Sequence, residues 1–261
     1  MNGRPLISVI TICRNAEKHI TGTMRSVLEQ SYENIEHILI DGHSSDGTME
    51  LIQAISREYP ERKLVWISEP DQGIAEAMNK GVKLASGEIV THLHAGDRYV
   101  DGCAIERVVE SYVRDRWRWG IAGSIVVDAK GNEIHRYKAA ADWRVLLHKN
   151  CIPHQSTFLV KDIFEKHGDF RVNYNQAMDY EFWLRIALRG GERYAVLPFN
   201  TTYFLNGGRS GDLGELLLYL WRLRRSLSSH GVKKSYLSDV VFVFRVLVFG
   251  LYMRLKDMLT I

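Results

Sequence analysis

The chain has 261 residues, of which 46% are hydrophobic and 25% are charged, with 21 glycines and 5 prolines. These proportions are typical of a soluble globular protein and exclude the collagen-like and intrinsically disordered classes. Three cysteines without a close pair argue against a disulfide framework or a structural zinc site. A net charge of +3 is too small to indicate nucleic acid as a partner.

The first hundred residues alternate between β-branched runs and amphipathic segments. Strands are predicted at Leu6–Ile12, Ile35–Ile40, Leu64–Ser68 and Glu88–Leu93, with helices around Ile20–Leu28, Leu51–Tyr59 and Ile74–Ala85, the last closed by Gly87 as a C-terminal signal. This alternation predicts parallel strands with right-handed crossovers. We therefore expect half of an α/β sheet with helices on both faces.

The second half of the chain is less regular. It contains predicted helices at Ile105–Tyr112 and Met178–Leu188, a hairpin of Ile121–Asp128 and Glu133–Tyr137, and short strands at Ser156–Val160, Tyr194–Leu197 and Thr201–Leu205. The second helix is expected to stop at Gly190-Gly191. The whole pattern predicts an α/β fold with a mixed central sheet flanked by helices.

The C-terminal extension, residues 214–261, differs in charge from residues 1–213. It contains eight basic and three acidic residues, which leaves the preceding body slightly acidic. Its pattern predicts two amphipathic helices with a break near Ser226–Gly231, and they either lie in a membrane interface or pack on the body or on a second copy. No apolar run reaches the roughly 20 residues that span a bilayer, and the first residues show no signal-peptide region. We expect a cytoplasmic protein that associates at most peripherally with the inner face of the membrane.

Polar loops follow each of the first four predicted strands, where an open α/β sheet binds its ligands. They supply the carboxylates Asp41, Asp46, Asp71 and Asp97. Such a concentration of negative charge is relieved when a cation binds, and a hard divalent metal that holds a phosphate fits this requirement. Each Asp alone is equally explained as a turn or helix cap. The phosphate signatures G-x-G-x-x-G and G-x-x-x-x-G-K-[ST] are absent from the sequence, which weighs against dinucleotide and P-loop enzymes.

Four motifs in order carry a family resemblance: SVITICRNA, ILIDGHSSDGT, EPDQGIAEAMNKGVKLASGEIVTHLHAGD and MDYEFWLRIALRGG. Over roughly residues 5–210 the chain resembles the family 2 glycosyltransferases of GT-A fold, inverting enzymes that use nucleotide sugars. Among these it is similar to the bacterial enzymes of surface polysaccharide synthesis. The resemblance implies a Rossmann-like nucleotide-sugar-binding and catalytic domain over residues 1–213.

The resemblance also implies site residues. Ile12, Arg14 and Asn15 match the first nucleotide-contacting loop. Asp41 matches the carboxylate that accepts a hydrogen bond from the base, and Asp71 matches the one beside the uracil ring.

The reacting end of the site is implied in the same way. Asp97 matches the last carboxylate of the motif that holds Mn²⁺ or Mg²⁺ against the diphosphate, and Asp179 matches the general base. Many members carry two adjacent acids in the metal motif, whereas here Gly96 precedes Asp97, His94 replaces a frequent Asn or Asp, and Met178 replaces a frequent Glu. These departures leave the metal contacts open.

Four further residues are candidates for contacts with the diphosphate, the donor sugar or the acceptor. They are His94, His154, Gln155 and Arg209, the last in the loop Asn206-Gly207-Gly208-Arg209-Ser210. Their alternative explanations are loop hydrogen bonds, capping and a simple glycine turn.

We therefore predict a metal-dependent inverting transfer of a sugar from a UDP-sugar to a hydroxyl of a lipid-linked glycan. Inversion by one in-line displacement needs a base for the acceptor hydroxyl and an electrophile for the leaving diphosphate. The alternative is a nucleotide-sugar-binding protein of the same fold that has lost turnover. The sequence leaves open the sugar, the acceptor and whether the chain forms a homo-oligomer.

Overall fold

The first half of the chain forms the parallel part of the sheet. The computed structural model describes residues 4–139, 142–147, 150–190, 192–206 and 225–232. The elements in chain order are β1 (Ile7–Cys13), α1 (Ile20–Leu28), β2 (Ile35–Asp41), α2 (Thr48–Glu58), β3 (Lys63–Ser68), α3 (Ile74–Leu84) and β4 (Ile89–His92). These strands pair in parallel in the order β3-β2-β1-β4, which confirms the predicted half-sheet.

Gly87 does not end α3, contrary to the prediction. The helix ends at Leu84, and Ala85 already has extended backbone angles. A Cβ on Gly87 would lie 2.5 Å from Ser8 Oγ and 2.7 Å from the Leu6 carbonyl oxygen. The glycine is needed because the chain passes close to β1 as it enters β4.

The second half completes a mixed sheet. Its elements are β5 (Arg98–Tyr99), α4 (Ala104–Asp115), β6 (Trp119–Val127), β7 (Glu133–Tyr137), β8 (Thr157–Val160), α5 (Asp162–His167), α6 (Met178–Arg189) and β9 (Tyr194–Leu205), with short 3-10 turns at Trp143–Leu147, His154–Ser156 and Val172–Ala177. The sheet continues from β4 as β8-β6-β9-β5, and β7 pairs with β6 as the predicted hairpin. Strand β8 is antiparallel to both of its neighbours, so the sheet is mixed as expected.

The two strands predicted at Tyr194–Leu197 and Thr201–Leu205 are one strand, β9. Pro198 and Asn200 break the apolar pattern, but β6 pairs with β9 on both sides of them. The register shifts beside Gly123, where the Asn200 side chain occupies the space that a Cβ would fill. A β-bulge of this kind keeps one strand continuous through an irregular sequence.

Apolar side chains cover both faces of the sheet. One core cluster joins β1, β2, α3 and α6, and a second joins β1, β4, α4 and β9. Residues 225–229 are helical, followed by a turn, and Leu227 is fully buried in the first cluster. The rest of the C-terminal extension, Arg209 and its glycines lie outside the described residues. No helix within the described ranges is long and apolar enough to cross a membrane.

Candidate functional site

The loops that follow β1, β2, β3 and β4 meet at one edge of the sheet, and each contains a left-handed residue. Asn15 (φ 50°) and His43 (φ 58°) take this conformation in the first two loops, and Gly73 (φ 130°) and Gly96 (φ 108°) take it in the others. A non-glycine residue with positive φ is uncommon and costs free energy. The local shape of this edge is therefore held by contacts between the loops.

Asp41 is fully buried and holds the loop after β2 together. Its carboxylate accepts hydrogen bonds from the backbone N–H of Ser44 at 2.9 Å, from the Ser44 hydroxyl and from the Ser68 hydroxyl at 2.6 Å. The Cys13 thiol, 3.7 Å away, donates to the same carboxylate, and burial followed by the charge of Asp41 raises the pKa of that thiol far above its usual range. Asp41 is thus enclosed by protein donors. Its predicted contact with the base stays a prediction.

Arg14, Gly42 and Asp71 bring the first three loops together. A Cβ on Gly42 would lie 2.5 Å from Asp71 Oδ2 and 3.4 Å from Arg14 Cδ. The other Asp71 oxygen accepts a hydrogen bond from the Gly73 backbone N–H at 2.9 Å. Arg14 is exposed and Asp71 is half-buried, so both can reach a ligand at this edge.

Asn15 and Ile12 complete the nucleotide side predicted from the sequence. The Asn15 backbone N–H donates to the Ser44 hydroxyl at 2.8 Å, and the Asn15 amide oxygen accepts from the Ser45 N–H at 2.9 Å. These bonds tie the first loop to the second. Ile12 is half-buried and packs against the first core cluster.

Asp97 is a buried carboxylate with few donors. Asp97 is only 4% exposed. Within the described ranges its carboxylate accepts a single hydrogen bond, from the Leu205 backbone N–H at 3.3 Å. Burial raises the pKa of Asp97 to about 8, an effect that the Leu205 bond opposes. A buried carboxyl of this kind ionises when a cation binds beside it, and its oxygen atoms are hard ligands that suit a divalent cation.

The residues present fit such a cation only when a ligand completes its coordination. Among the described residues no group of three or more His, Cys, Asp or Glu side chains is arranged to hold a metal ion. Mg²⁺ is usually bound through one or two carboxylates together with substrate phosphates and water. Asp97 can provide the protein carboxylate in that arrangement.

Three histidines lie together beside Asp97's loop. The ring centroids of His94 and His154 are 4.7 Å apart, and those of His92 and His94 are 6.3 Å apart. Buried ring nitrogens of all three, His92 Nε2, His94 Nδ1 and His154 Nε2, have no hydrogen-bond partner in the described part of the chain. Burial lowers the pKa of each ring, that of His92 to about 3, so the cluster is uncharged near neutral pH.

Asp179 lies in the first turn of α6 and interacts electrostatically with His154. Its carboxylate accepts hydrogen bonds from the Asn150 side-chain amide at 3.2 Å and from the Tyr180 backbone N–H at 2.7 Å. Burial raises the pKa of Asp179 and outweighs the opposing effect of His154. A carboxylate with a raised pKa is a stronger base than an exposed one.

Gln155 is placed differently from its neighbour His154. It is buried, and its side-chain amide donates to the Ser124 hydroxyl at 3.0 Å. Ser124 in turn accepts a hydrogen bond from the Thr202 hydroxyl at 3.1 Å. Gln155 therefore fixes the turn that carries His154 to the sheet, and its predicted contact with a ligand stays a prediction.

His92 and Asn150 were not among the residues predicted from the sequence. His92 is two residues before His94 at the end of a strand, and this spacing places both side chains on one side of the sheet. That spacing is the signal that sequence reasoning could have used. For Asn150, nothing in the sequence pattern indicates its contact with Asp179.

Comparisons with known proteins agree with this geometry. The family described as "Glycosyl transferase family 2" matches residues 8–181. The chain is 32% identical over 194 residues to "Uncharacterized glycosyltransferase Rv1514c" of Mycobacterium tuberculosis, covering 72% of this chain and 71% of the relative. It is 28% identical over 230 residues to "Putative teichuronic acid biosynthesis glycosyltransferase TuaG" of Bacillus subtilis, covering 87% and 90%.

Solved structures share the fold at low sequence identity. S. aureus TarS 1-349 in complex with UDP-GlcNAc superposes with a TM-score of 0.63 at 17% identity, over 77% of this chain and 58% of that one. Mannosyltransferase PcManGT from Pyrobaculum calidifontis in complex with GDP-Man and Mn²⁺ gives a TM-score of 0.63 at 17% identity, over 99% and 84%. The matched family and the sequence relatives show that the chain is a glycosyltransferase and belongs to glycosyl transferase family 2.

Proposed function

We propose that the chain transfers a sugar from a UDP-sugar, with inversion, to a hydroxyl of a lipid-linked glycan during surface polysaccharide synthesis. The observation that carries the proposal is the juxtaposition of His94, His154 and Asp179, which come from three separate segments of the chain. Buried polar groups with unused hydrogen-bonding capacity at a ligand edge are expected where a polar substrate binds.

The nucleotide end of the proposed site is built from the first three loops. Asp71 and Arg14 flank Gly42 and are accessible, so they are the proposed contacts for the base and the diphosphate. Asn15 and Ile12 complete this surface. Asp41 accepts hydrogen bonds from Ser44 and Ser68, so its main proposed role is to hold the loop after β2 in shape. Its proposed contact with the nucleotide is a hydrogen bond from the edge of the base.

The diphosphate end is proposed to include Asp97. The family generally uses a divalent metal, and PcManGT was solved with Mn²⁺. Mn²⁺ or Mg²⁺ held by Asp97 supplies positive charge against the leaving diphosphate. His94 is proposed to donate a hydrogen bond to the diphosphate or the donor sugar, and Arg209 stays a proposed diphosphate contact outside the described residues.

Asp179 is the proposed base. It accepts the proton of the acceptor hydroxyl while that oxygen forms a bond to the anomeric carbon and the bond to the diphosphate oxygen breaks. The Asn150 side-chain amide donates a hydrogen bond to one carboxylate oxygen of Asp179 at 3.2 Å, which orients the carboxylate and keeps the base in one position. His154 is proposed to contact the sugar or the acceptor beside it. Positioned acid-base groups typically contribute 10² to 10⁴ in rate.

The acceptor and the location are proposed from the relatives and the extension. TuaG is named for teichuronic acid biosynthesis, which supports a role in surface polysaccharide assembly. A lipid-linked acceptor gives a reason for the basic extension, residues 214–261, which is proposed to contact the inner face of the cytoplasmic membrane.

The proposal is tested by assaying transfer from a panel of UDP-sugars to a lipid-linked glycan acceptor in the presence of Mn²⁺. The native protein and the Asp179→Asn variant are compared. We expect kcat to fall by about 10³-fold in the variant while UDP affinity changes less than twofold, because the base acts only in the transition state. Asp169→Asn, at an exposed carboxylate ten residues before Asp179 in sequence, is the matched control and should keep the native rate.

Two results contradict the proposal. One is a native protein that neither binds UDP nor turns over any UDP-sugar, and the other is an Asp179→Asn variant that keeps transfer within tenfold. Calorimetry on the native protein that shows metal-dependent UDP binding without product would favour the alternative of a binding protein.

A further inference from the structure

Residues 225–232, the described part of the C-terminal extension, dock on the catalytic body. Leu227 is 0% exposed within the first core cluster, and Val232 packs against the same cluster. The Val232 backbone N–H donates to the Leu227 carbonyl at 2.9 Å, which closes a tight turn. The segment is therefore an integral part of the folded body.

The docked segment reaches a buried carboxylate in α6. Glu181 is 0% exposed, and Arg185 and Arg171 contact it at 2.8 Å and 3.2 Å. Its third partner is His230 of the docked segment, whose Nε2 lies 3.3 Å from Glu181 Oε1. Burial raises the pKa of Glu181, but His230 and Arg185 outweigh burial and hold that pKa below its usual range.

A second contact lies on the other side of Asp179 in sequence. Tyr174, in the 3-10 turn that leads into α6, is buried, and its hydroxyl lies 3.3 Å from the Ser229 hydroxyl. The Arg225 guanidinium sits over the Tyr174 ring, 5.6 Å from its centroid. In sequence, Asp179 thus lies between Tyr174 and Glu181, the two residues that the docked segment contacts through Ser229 and His230.

We infer that Glu181 and His230 are positioning residues that fix the first turn of α6, and with it Asp179, for transfer. The inference rests on the proposed role of Asp179 as base. Glu181 is two residues beyond Asp179 in the same helical turn, so a movement of Glu181 moves the base. Without His230, a buried carboxylate loses one of its donors, and such groups reorganise to recover a partner.

The same arrangement assigns a function to the extension that its charge does not explain. The segment contacts residues that flank Asp179 in sequence, and it does so with a fully buried leucine and specific polar contacts. The transfer rate therefore depends on the presence of this segment, whether or not the remaining basic residues meet a membrane.

The test compares two His230 variants of the full chain with a control at another histidine. His230→Ala should lower kcat by about tenfold, since small displacements of a catalytic group cost up to about 10²-fold, while the donor KM and UDP affinity stay within twofold. His230→Gln retains an N–H donor for Glu181 and should recover most of the rate. His135→Ala, at an exposed histidine of β7, is the matched control and should keep the native rate. Glu181→Gln is a weaker test because it leaves Arg185 without its buried partner.

The decisive measurement is the effect of His230→Ala in an Asp179→Asn background. If His230 acts through Asp179, the residual transfer rate should not fall further, because the group that it positions is already gone. An equal tenfold fall in both backgrounds, or no rescue by His230→Gln, overturns the inference and indicates general destabilisation. A full rate in Asp179→Asn alone contradicts the proposed base instead, so the two failures are distinguishable.

Discussion

Glu36 and Asp97 are both buried carboxylates, but they lie at opposite ends of the parallel strands and in opposite surroundings. Glu36, near the start of β2, accepts hydrogen bonds from Ser8 and Ser86 and pairs with Lys63. Burial alone raises the pKa of Glu36, but these partners outweigh burial and lower it to about 2. Asp97 has the Leu205 bond among the described residues, and burial raises its pKa to about 8.

This difference in hydrogen-bond partners indicates that the amino end of the parallel strands stabilises the fold, whereas the carboxyl end is the candidate ligand site. At the amino end, the carboxylate is satisfied by the protein itself. At the carboxyl end, three histidine ring nitrogens have no hydrogen-bond partner among the described residues, and the Asp97 side chain has a backbone donor at 3.3 Å. Buried groups in this state lower stability and persist where function needs them. Substitutions at the two ends should therefore affect different measurable quantities.

The largest expected effect is on catalysis at the carboxyl end. Asp97→Asn should lower kcat by about 10³-fold, because Asp97 is the proposed ligand of the cation that balances the charge of the leaving diphosphate. The melting temperature of the ligand-free protein should stay the same or rise, because a poorly satisfied buried carboxyl is replaced by a neutral amide of the same shape. Transfer assays and thermal unfolding without added metal measure the two quantities.

Asp101→Asn is the matched control for Asp97→Asn. Asp101 is exposed and pairs with Arg107 at 3.0 Å, so its loss should change neither quantity appreciably. A melting temperature that drops sharply in Asp97→Asn would show that this carboxylate holds the fold, and the contrast with Glu36 would then be wrong.

The second effect is on stability at the amino end. Glu36→Gln should lower the free energy of unfolding by about 3 kcal/mol, because Lys63 and the Ser86 and Gly87 N–H donors lose a buried anion. Transfer per folded molecule should be unchanged at low temperature, since Asp41 lies five positions beyond Glu36 along β2, a distance of roughly 17 Å. Denaturant titration and kcat at low temperature test this pair of expectations.

The pH dependence gives an independent check on Glu36. Its pKa is about 2 in the folded protein against an ordinary 4.5, so its stabilisation is complete above pH 4.5 and is lost as pH falls towards 2. The stability difference between the native protein and Glu36→Gln should shrink over that interval. Glu33→Gln, at an exposed neighbour, is the control and should be as stable as the native protein at neutral pH. A difference that stays constant down to pH 2 would contradict the assigned partners.

Sequence patterns predicted the parallel half of the sheet because its strands are continuous apolar runs and its helices are amphipathic. All seven residues of β2 are buried, as a central parallel strand requires. The sequence patterns predicted two strands where the structure has the single strand β9. Pairing with β6 keeps this strand continuous through Pro198 and Asn200, and such a long-range contact is not visible in local sequence. They also misassigned Gly87, since close approach to β1 cannot be seen from local sequence.

From the strand ends and the family motifs, the sequence predicted that the polar loops meet at one edge of the sheet, whereas the ligand contacts of their residues stay predictions. The convergence of Arg14 and Asp71 on Gly42 agrees with that reasoning. What sequence could not give is which polar groups are already satisfied: Asp41 and Gln155 are engaged within the protein, whereas His92 has an unpartnered nitrogen. Hydrogen-bond partners come from distant segments, so this distinction needs the folded structure.

The smallest effect sharpens the contrast within the carboxyl edge. Gly42→Ala should weaken UDP binding by about tenfold, because the new Cβ would lie 2.5 Å from Asp71 Oδ2 and must displace that carboxylate. The melting temperature should change little, since Asp71 is half-buried and its side chain can turn away at small cost. Calorimetry with UDP measures the affinity.

Gly102→Ala is the control. Its new Cβ would lie 3.4 Å from the Glu29 carbonyl oxygen, and Gly102 lies outside the loops after β1, β2 and β3, so this variant should bind UDP normally. Equal affinity in Gly42→Ala and the native protein would remove Asp71 from the nucleotide surface, whereas a large loss of stability would show that this loop, like the amino end, holds the fold.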